Sequence, residues 1–242
     1  MSLGTTKTNP DTHSEVVHTP DGAPTVAVIK TDPTTVVADV GAAMRLAGYN
    51  FQLAPDVATI LKINISWQHY YPACSTSPWQ LDGVIKTLKE DGFDELIPTH
   101  NGTVVVDARE GEVNNKHDVV ARRHGLESVH LEDLEWVPLP FSGDFLVLDQ
   151  IYPDGIKIPK FLIDKNVIHL PTMKTHVFTT ITGAMKNAFG GLLNFQRHWT
   201  HSVIHETLVD LLMIQKNSPW YFCCDGRHFC RFRTGAPSYA MA

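Results

Sequence analysis

From Lys174 to Leu212 the chain reads KTHVFTTITGAMKNAFGGLLNFQRHWTHSVIHETLVDLL, with four histidines, two lysines and one arginine around an apolar run. Three chemistries are open to such a stretch. His201 and His205 lie four apart and His198 three earlier, so on one helix face their imidazoles can chelate zinc or a similar divalent ion. The order is not that of a zinc-protease helix, because Glu206 follows the second histidine instead of the first. Arg197 and His198 can instead offer a cationic rim to a carboxylate or phosphate. The polar residues can also simply face water, with the apolar FGGLLNF segment as the contact surface of a non-catalytic interaction module.

A second chemistry-bearing stretch is CSTSP, Cys74 to Pro78. Small hydroxyl residues entering a helix present O–H groups and free backbone N–H groups to an anion, aided by the helix dipole. Ser75, Thr76 and Ser77 are therefore ligand-binding candidates, and Cys74 is a candidate thiol beside a helix N-terminus. The competing reading is that Ser77 merely caps the helix.

The elements that must position these residues alternate between strand and helix. TVAVIK (25–30), ILKINIS (60–66), TVVVD (103–107), FLVLD (145–149) and NVIHLP (166–171) read as strands, and WYFCC (220–224) as a further one. Apolar runs such as ILKINI suit parallel strands covered on both faces. Helices are expected at TTVVADVGAAMRLAGY, at 112–124, 179–189 and 203–215, and at SPWQLDGVIKTLKEDG. This last has Ser77 at N-cap, Pro78 at N1, Gln80 completing a capping box, and Gly92 as terminator. The pattern predicts an α/β fold, a mostly parallel sheet with helices on both faces in Rossmann-like layering.

Ligands of open α/β sheets bind at the carboxyl ends of the strands. Asn64, Cys74 and the CSTSP hydroxyls follow one strand, Asp107 another, and Lys174, Thr175 and His176 a third. Lys174 is expected near the start of the next helix and Lys186-Asn187 near its end, before Gly190-Gly191 break it. Asp107 and His176 form a carboxylate–imidazole pair able to divide acid and base roles.

Bulk properties narrow the setting. A chain of 242 residues that is 43% hydrophobic and 19% charged belongs to ordinary globular proteins. Residues 1–24 read as a polar tail or arm, with Met1–Leu3 as a cloning scar. Residues 25–226 read as one α/β domain, with a joint between two halves near 136–144. The net charge of −6 and the lack of a basic stripe argue against nucleic acid, and no apolar run is long enough for a membrane span. Four cysteines without a regular framework, and no signal-peptide pattern, place the chain in the cytoplasm by expectation. A homo-oligomer formed through the arm or an apolar surface is compatible with these numbers.

KINISW followed by STSPWQLDGVIKTLKEDGF, then NVIHLPTMKTHVFTTITGAMKNAFGGLL and a later Asp-Gly, resemble the domain-of-unknown-function family 362 over about residues 25–226. The resemblance implies an α/β fold and no established reaction. Its shared positions fall on Lys62, Asn64, Thr76, Lys174, His176, Lys186, Asn187 and Gly190. Ile63 stands where many members have proline. Some members add ferredoxin-like cysteine clusters, and this chain has no such iron–sulfur motif. Residues 227–242 depart from the family. Codons exist for Phe222–Arg233 whose one-base-shifted frame reads FAVMDGIFAGSG, nearer the family pattern, so a frameshifted and truncated C-terminus is the expectation there.

Together these readings point to a protein that binds a small anionic molecule, with Lys174, His176, Lys186, Asn187 and the CSTS loop around it and an enzymatic role open. A metal-dependent enzyme built on His198, His201 and His205 is the alternative, and the cofactor is otherwise undetermined.

Overall fold

Four strands, two of them fully buried, organise the protein. In the computed structural model, which describes residues 5–7, 14–17, 25–103, 105–193, 195–217 and 228–229, they run Val129–His130, Leu96–His100, Thr59–Ile63 and Asn166–Leu170 across the sheet. All three pairings are parallel. The expected α/β architecture with a parallel sheet is therefore present. In chain order the strands lie 3-2-1-4, so the direction of winding reverses between Thr59–Ile63 and Asn166–Leu170. Crossovers leaving these two neighbours in opposite directions open a crevice at their carboxyl ends.

Alternation along the strands sorts the core into two layers. Leu61, Ile63, Ile168 and Leu170 pack with Val40 and Met44 of the Val36–Leu46 helix and with Leu81, Val84, Ile85 and Leu88 of the Pro78–Glu90 helix. Ile60 and Val167 point the other way, onto Ala188, Phe189 and Leu192 of the Ala184–Leu192 helix and Leu211 and Ile214 of Ile204–Asn217. Lys62 and His169 share the parity of this second layer and are register partners. A lysine thus occupies a strand position where an aliphatic side chain is the rule.

Several local expectations meet tertiary overrides. Ser77 does cap its helix, its Oγ accepting from the Gln80 N–H at 3.1 Å, with Pro78 next. The one hydrogen bond between Ser77 and Gln80 is that cap, without the reciprocal acceptance by the Gln80 side-chain oxygen from the Ser77 N–H, and the buried Gln80 Nε2 has no partner among the described residues either. The described residues of TVVVD, 103 and 105–107, form no strand. The sheet takes Leu96–His100 (LIPTH) instead, whose Pro98 hides a strand signal. Of FLVLD, Leu148 and Asp149 enter a short helix, Leu148–Ile151. The 112–124 helix is two, Ala108–Asn114 and His117–Arg123, parted at Lys116 with φ 65°.

TVAVIK forms a strand, Thr25–Ile29, but outside the central sheet. It pairs antiparallel with Ser14–Val17 and parallel with His228–Phe229. Near the expected joint, Trp136–Pro138 pairs antiparallel with Lys157–Pro159. Residues 220–224 and all but His228–Phe229 of the frameshift region lie outside the described residues.

Two helix contacts rest on glycine. A Cβ on Gly83 would meet Val40 Cβ at 2.7 Å and the Val37 carbonyl at 2.8 Å, so the Pro78–Glu90 and Val36–Leu46 helices touch backbone to side chain there. Gly190 and Gly191 do not break their helix as expected but lie within Ala184–Leu192. A Cβ on Gly191 would come within 3.0 Å of Lys62 Cε, so the glycine pair makes room for the buried lysine. No helix among the described residues is long and apolar enough to cross a membrane.

Candidate functional site

A cleft of about 760 Å³ opens at the carboxyl ends of the strands, over the point where the strand order reverses. Its floor comes from Lys62, Ile63 and Asn64, and one side from His100, Asn101 and Thr103. The opposite wall is Pro171 to Phe178 with the first turns of the Ala184–Leu192 helix, and Arg197, His198 and His201 close the rim.

Four permanent or conditional cations line it: Lys62, Lys174, Lys186 and Arg197. Among the described residues no Asp or Glu lines it, in a chain whose net charge is −6. Lys62 is 5% exposed and its Nζ donates to the Ile63 carbonyl at 2.7 Å. Burial, then the Arg197 charge, lower its pKa from 10.5 to about 7. Lys186 Nζ sits 4.0 Å from the centre of the Phe189 ring, and burial followed by the charges of Arg197 and Lys174 lowers it to about 8. Lys174 Nζ donates to Ser66 Oγ and, at 2.6 Å, to the Cys74 carbonyl; burial lowers its pKa too. Arg197 donates to the Gly102 carbonyl and is likewise shifted down by burial. Behind Lys62, burial and the Lys62 charge push the pKa of His169 down to about 3, which keeps it neutral.

His176 sits on the wall between these groups. Its Nδ1 accepts from the Phe178 N–H at 3.2 Å, which leaves the proton of the neutral ring on Nε2. Burial first, then Lys186, Lys174 and His201, lower its pKa. Phe178 and Phe189 flank His201, with ring centroids 4.6 and 5.6 Å away, so the cationic rim is built on an aromatic base.

Of the residues singled out from sequence, Asn64, Cys74, Lys174, Thr175, His176, Lys186, Asn187, Arg197, His198 and His201 line this one cleft. The candidates Ser75, Thr76, Ser77, Asp107 and His205 do not. Ser75, Thr76 and Ser77 are consumed as structural clips. Ser75 Oγ accepts from the Ser66 N–H at 3.1 Å. Thr76 Oγ1 accepts from the Asn64 N–H at 2.8 Å and donates to the Leu170 carbonyl. Hydroxyls that satisfy strand ends in this way leave the CSTSP loop as a tie between Thr59–Ile63 and Asn166–Leu170, not a cradle. Asn187, though at the cleft, also holds the fold, its Nδ2 donating to the Lys62 carbonyl at 2.8 Å.

Asp107 is exposed and caps the Ala108–Asn114 helix, accepting from the Glu110 N–H at 2.9 Å; it does not line the cleft with His176. Lys186 and Asn187 occupy the first turn of their helix, not its end. The β-branched run after KTH folds into a hairpin, Thr175–His176 against Thr180–Ile181, and delays the helix to Ala184. His198 and His201 belong to a 3-10 helix, Phe195–Val203, and the α-helix begins at Ile204. His201 and His205 therefore share no α-helical face, and the three histidines form no converging ligand set. Of the FGGLLNF segment, Phe189, Leu192 and Leu193 are buried in the core and so offer no surface for a partner.

Lys62 was the residue with a readable signal, a lysine inside the apolar strand ILKINI, where burial demands a partner or a purpose.

The profile of the DUF362 family, a domain of unknown function, matches residues 59–230, which include the floor, both walls and the rim of the cleft. The chain belongs to this family. The match bears out the likeness carried by the LPTMKTH and GAMKNAFGGL blocks, and DUF362 itself assigns no reaction. Neither a search of curated proteins nor one of solved structures gives a match.

Proposed function

We propose that this DUF362 protein binds a small organic anion, a carboxylate or phosphate ester, in the cleft at the reversal of strand order. The observation that carries this reading is the lining itself: Lys62, Lys174, Lys186 and Arg197 face one space that, among the described residues, no carboxylate lines. Clustered cations at a low-dielectric site depress one another and lose solvation, and an incoming anion reverses both costs. Ile65, Val106, Phe178 and Phe189 supply apolar lining for a carbon skeleton, so the fit is to an organic molecule bearing the charge. Position supports the same reading, since the crevice outside a strand-order reversal is the usual ligand site of open α/β sheets.

Thermal unfolding in a non-coordinating buffer, with and without inorganic phosphate or citrate, tests it. Saturation near 100 times Kd is worth about 2.7 kcal/mol, or roughly 5–10 °C for a chain of this size. The shift should shrink between pH 7 and pH 9, because Lys62 and Lys186, with values of about 7 and about 8, lose their protons across that window. Lys186→Met should abolish most of it. An unchanged melting temperature with every anion, or an equal shift in Lys186→Met and Lys174→Met, would refute the reading.

A further inference from the structure

His100, Glu112 and His130 occupy the far side of the wall that His100 shares with the cleft. Their ligand atoms all lie within 4.8 Å of one another. Glu112 Oε2 stands 3.2 Å from His100 Nε2 and 3.0 Å from His130 Nε2. Bonds of about 2.0–2.2 Å from a central cation span separations of that order.

The trio is held by three different elements. His100 ends the Leu96–His100 strand and His130 the neighbouring parallel strand, where the two are register partners. Their rings lie 4.4 Å apart between centroids. Glu112 comes from the Ala108–Asn114 helix and, like His100, is buried. Strand ends and a packed helix fix donors more tightly than loops do. On the outer side, His130 Nδ1 faces the Asp133 carboxylate at 4.0 Å, placed to take the ring proton on Nδ1 once a cation occupies the Nε2 lone pair. His100 Nδ1 is buried without a hydrogen bond, so no outer partner fixes the tautomer of that ring.

We infer that His100, Glu112 and His130 form a binding site for one divalent transition-metal cation. Two imidazole nitrogens and one carboxylate oxygen favour Zn²⁺, Co²⁺, Fe²⁺ or Mn²⁺ over Ca²⁺ and Mg²⁺, which prefer all-oxygen shells. Three protein donors leave coordination positions for water or a ligand group. The single Glu112 oxygen accepts from the Nε2–H of both imidazoles, which holds the three ligand atoms together, and a cation binds in exchange for those protons. The site is separate from the histidines of the 195–203 segment, and it does not depend on anion binding in the cleft.

Purified full-length chain, stripped with a chelator and dialysed, should take up one Co²⁺ per chain. The uptake should appear as visible absorption of the bound ion and be reversed by Zn²⁺. Glu112→Gln and His130→Ala should each weaken Co²⁺ binding at least about tenfold, and His201→Ala should leave it unchanged. Circular dichroism establishes that each variant is folded; His130 is only half-buried, so His130→Ala carries the test if Glu112→Gln does not fold. No stoichiometric uptake by the folded stripped chain overturns the inference. So does uptake that survives both substitutions, or uptake lost in His201→Ala.

Discussion

Replacing Lys62 by methionine removes a charge that the fold buries without a carboxylate in contact, and its effect on stability has a calculable pH dependence. A lysine whose folded pKa lies below its unfolded value binds fewer protons when folded, so the penalty is full below the folded pKa and fades as pH rises towards the unfolded one. With values of about 7 folded and 10.5 unfolded, and about 1.4 kcal/mol per pH unit, the penalty is about 5 kcal/mol at pH 6 and roughly 2 kcal/mol at pH 9. The substitution loses one hydrogen bond, to the Ile63 carbonyl, worth about 1 kcal/mol at either pH. Groups away from Lys62 cancel in the comparison, and the two histidines that its charge lowers, His100 and His169, are held low first by burial, which the substitution leaves in place. His169, the register partner of Lys62, is neutral at both pH values. Lys62→Met should therefore be the more stable protein at pH 6 by roughly 3 kcal/mol or more. The advantage should shrink by about 2–3 kcal/mol at pH 9. Urea unfolding followed by tryptophan fluorescence, in buffer free of phosphate and carboxylate, measures it. A difference independent of pH, or a less stable variant at pH 6, would show that Lys62 is a compensated charge and remove the main reason for placing an anion beside it.

Two substitutions test how the fold carries the cleft. Asp210 is buried and accepts from the Leu146, Val147 and Leu148 N–H groups at 2.8, 3.0 and 3.0 Å; Asp210→Ala should cost roughly 2–4 kcal/mol in urea unfolding, because three donors lose a charged acceptor. Gly83→Ala places a methyl against the Val37 carbonyl and Val40 and should lower stability by about 1–3 kcal/mol. A Gly83→Ala protein as stable as wild type would mean that the two helices separate without cost.

The family blocks were legible because they are local. Strand runs such as NVIHL, the Ser77-Pro78 helix start and the Lys-Thr-His and Lys-Asn positions each depend on a few neighbouring residues. Pro98 concealed the LIPTH strand, since proline removes a ladder donor and usually marks an edge. Gly190-Gly191 read as a helix end because a glycine pair is a poor helix former. Only the neighbouring strand reveals that their missing side chains accommodate Lys62. The CSTSP hydroxyls looked available for an anion until their partners, 3 to 94 residues away, were in place.

By itself the sequence determined the parallel α/β layering, the family, and most of the residues that line the cleft, because hydrophobic period and motif blocks are written along the chain. Which polar groups face one space is a different kind of fact. It depends on strand order 3-2-1-4, on the 3-10 geometry that separates His201 from His205, and on the register that sets His100 beside His130. Those juxtapositions join residues far apart in sequence, and only packing decides them.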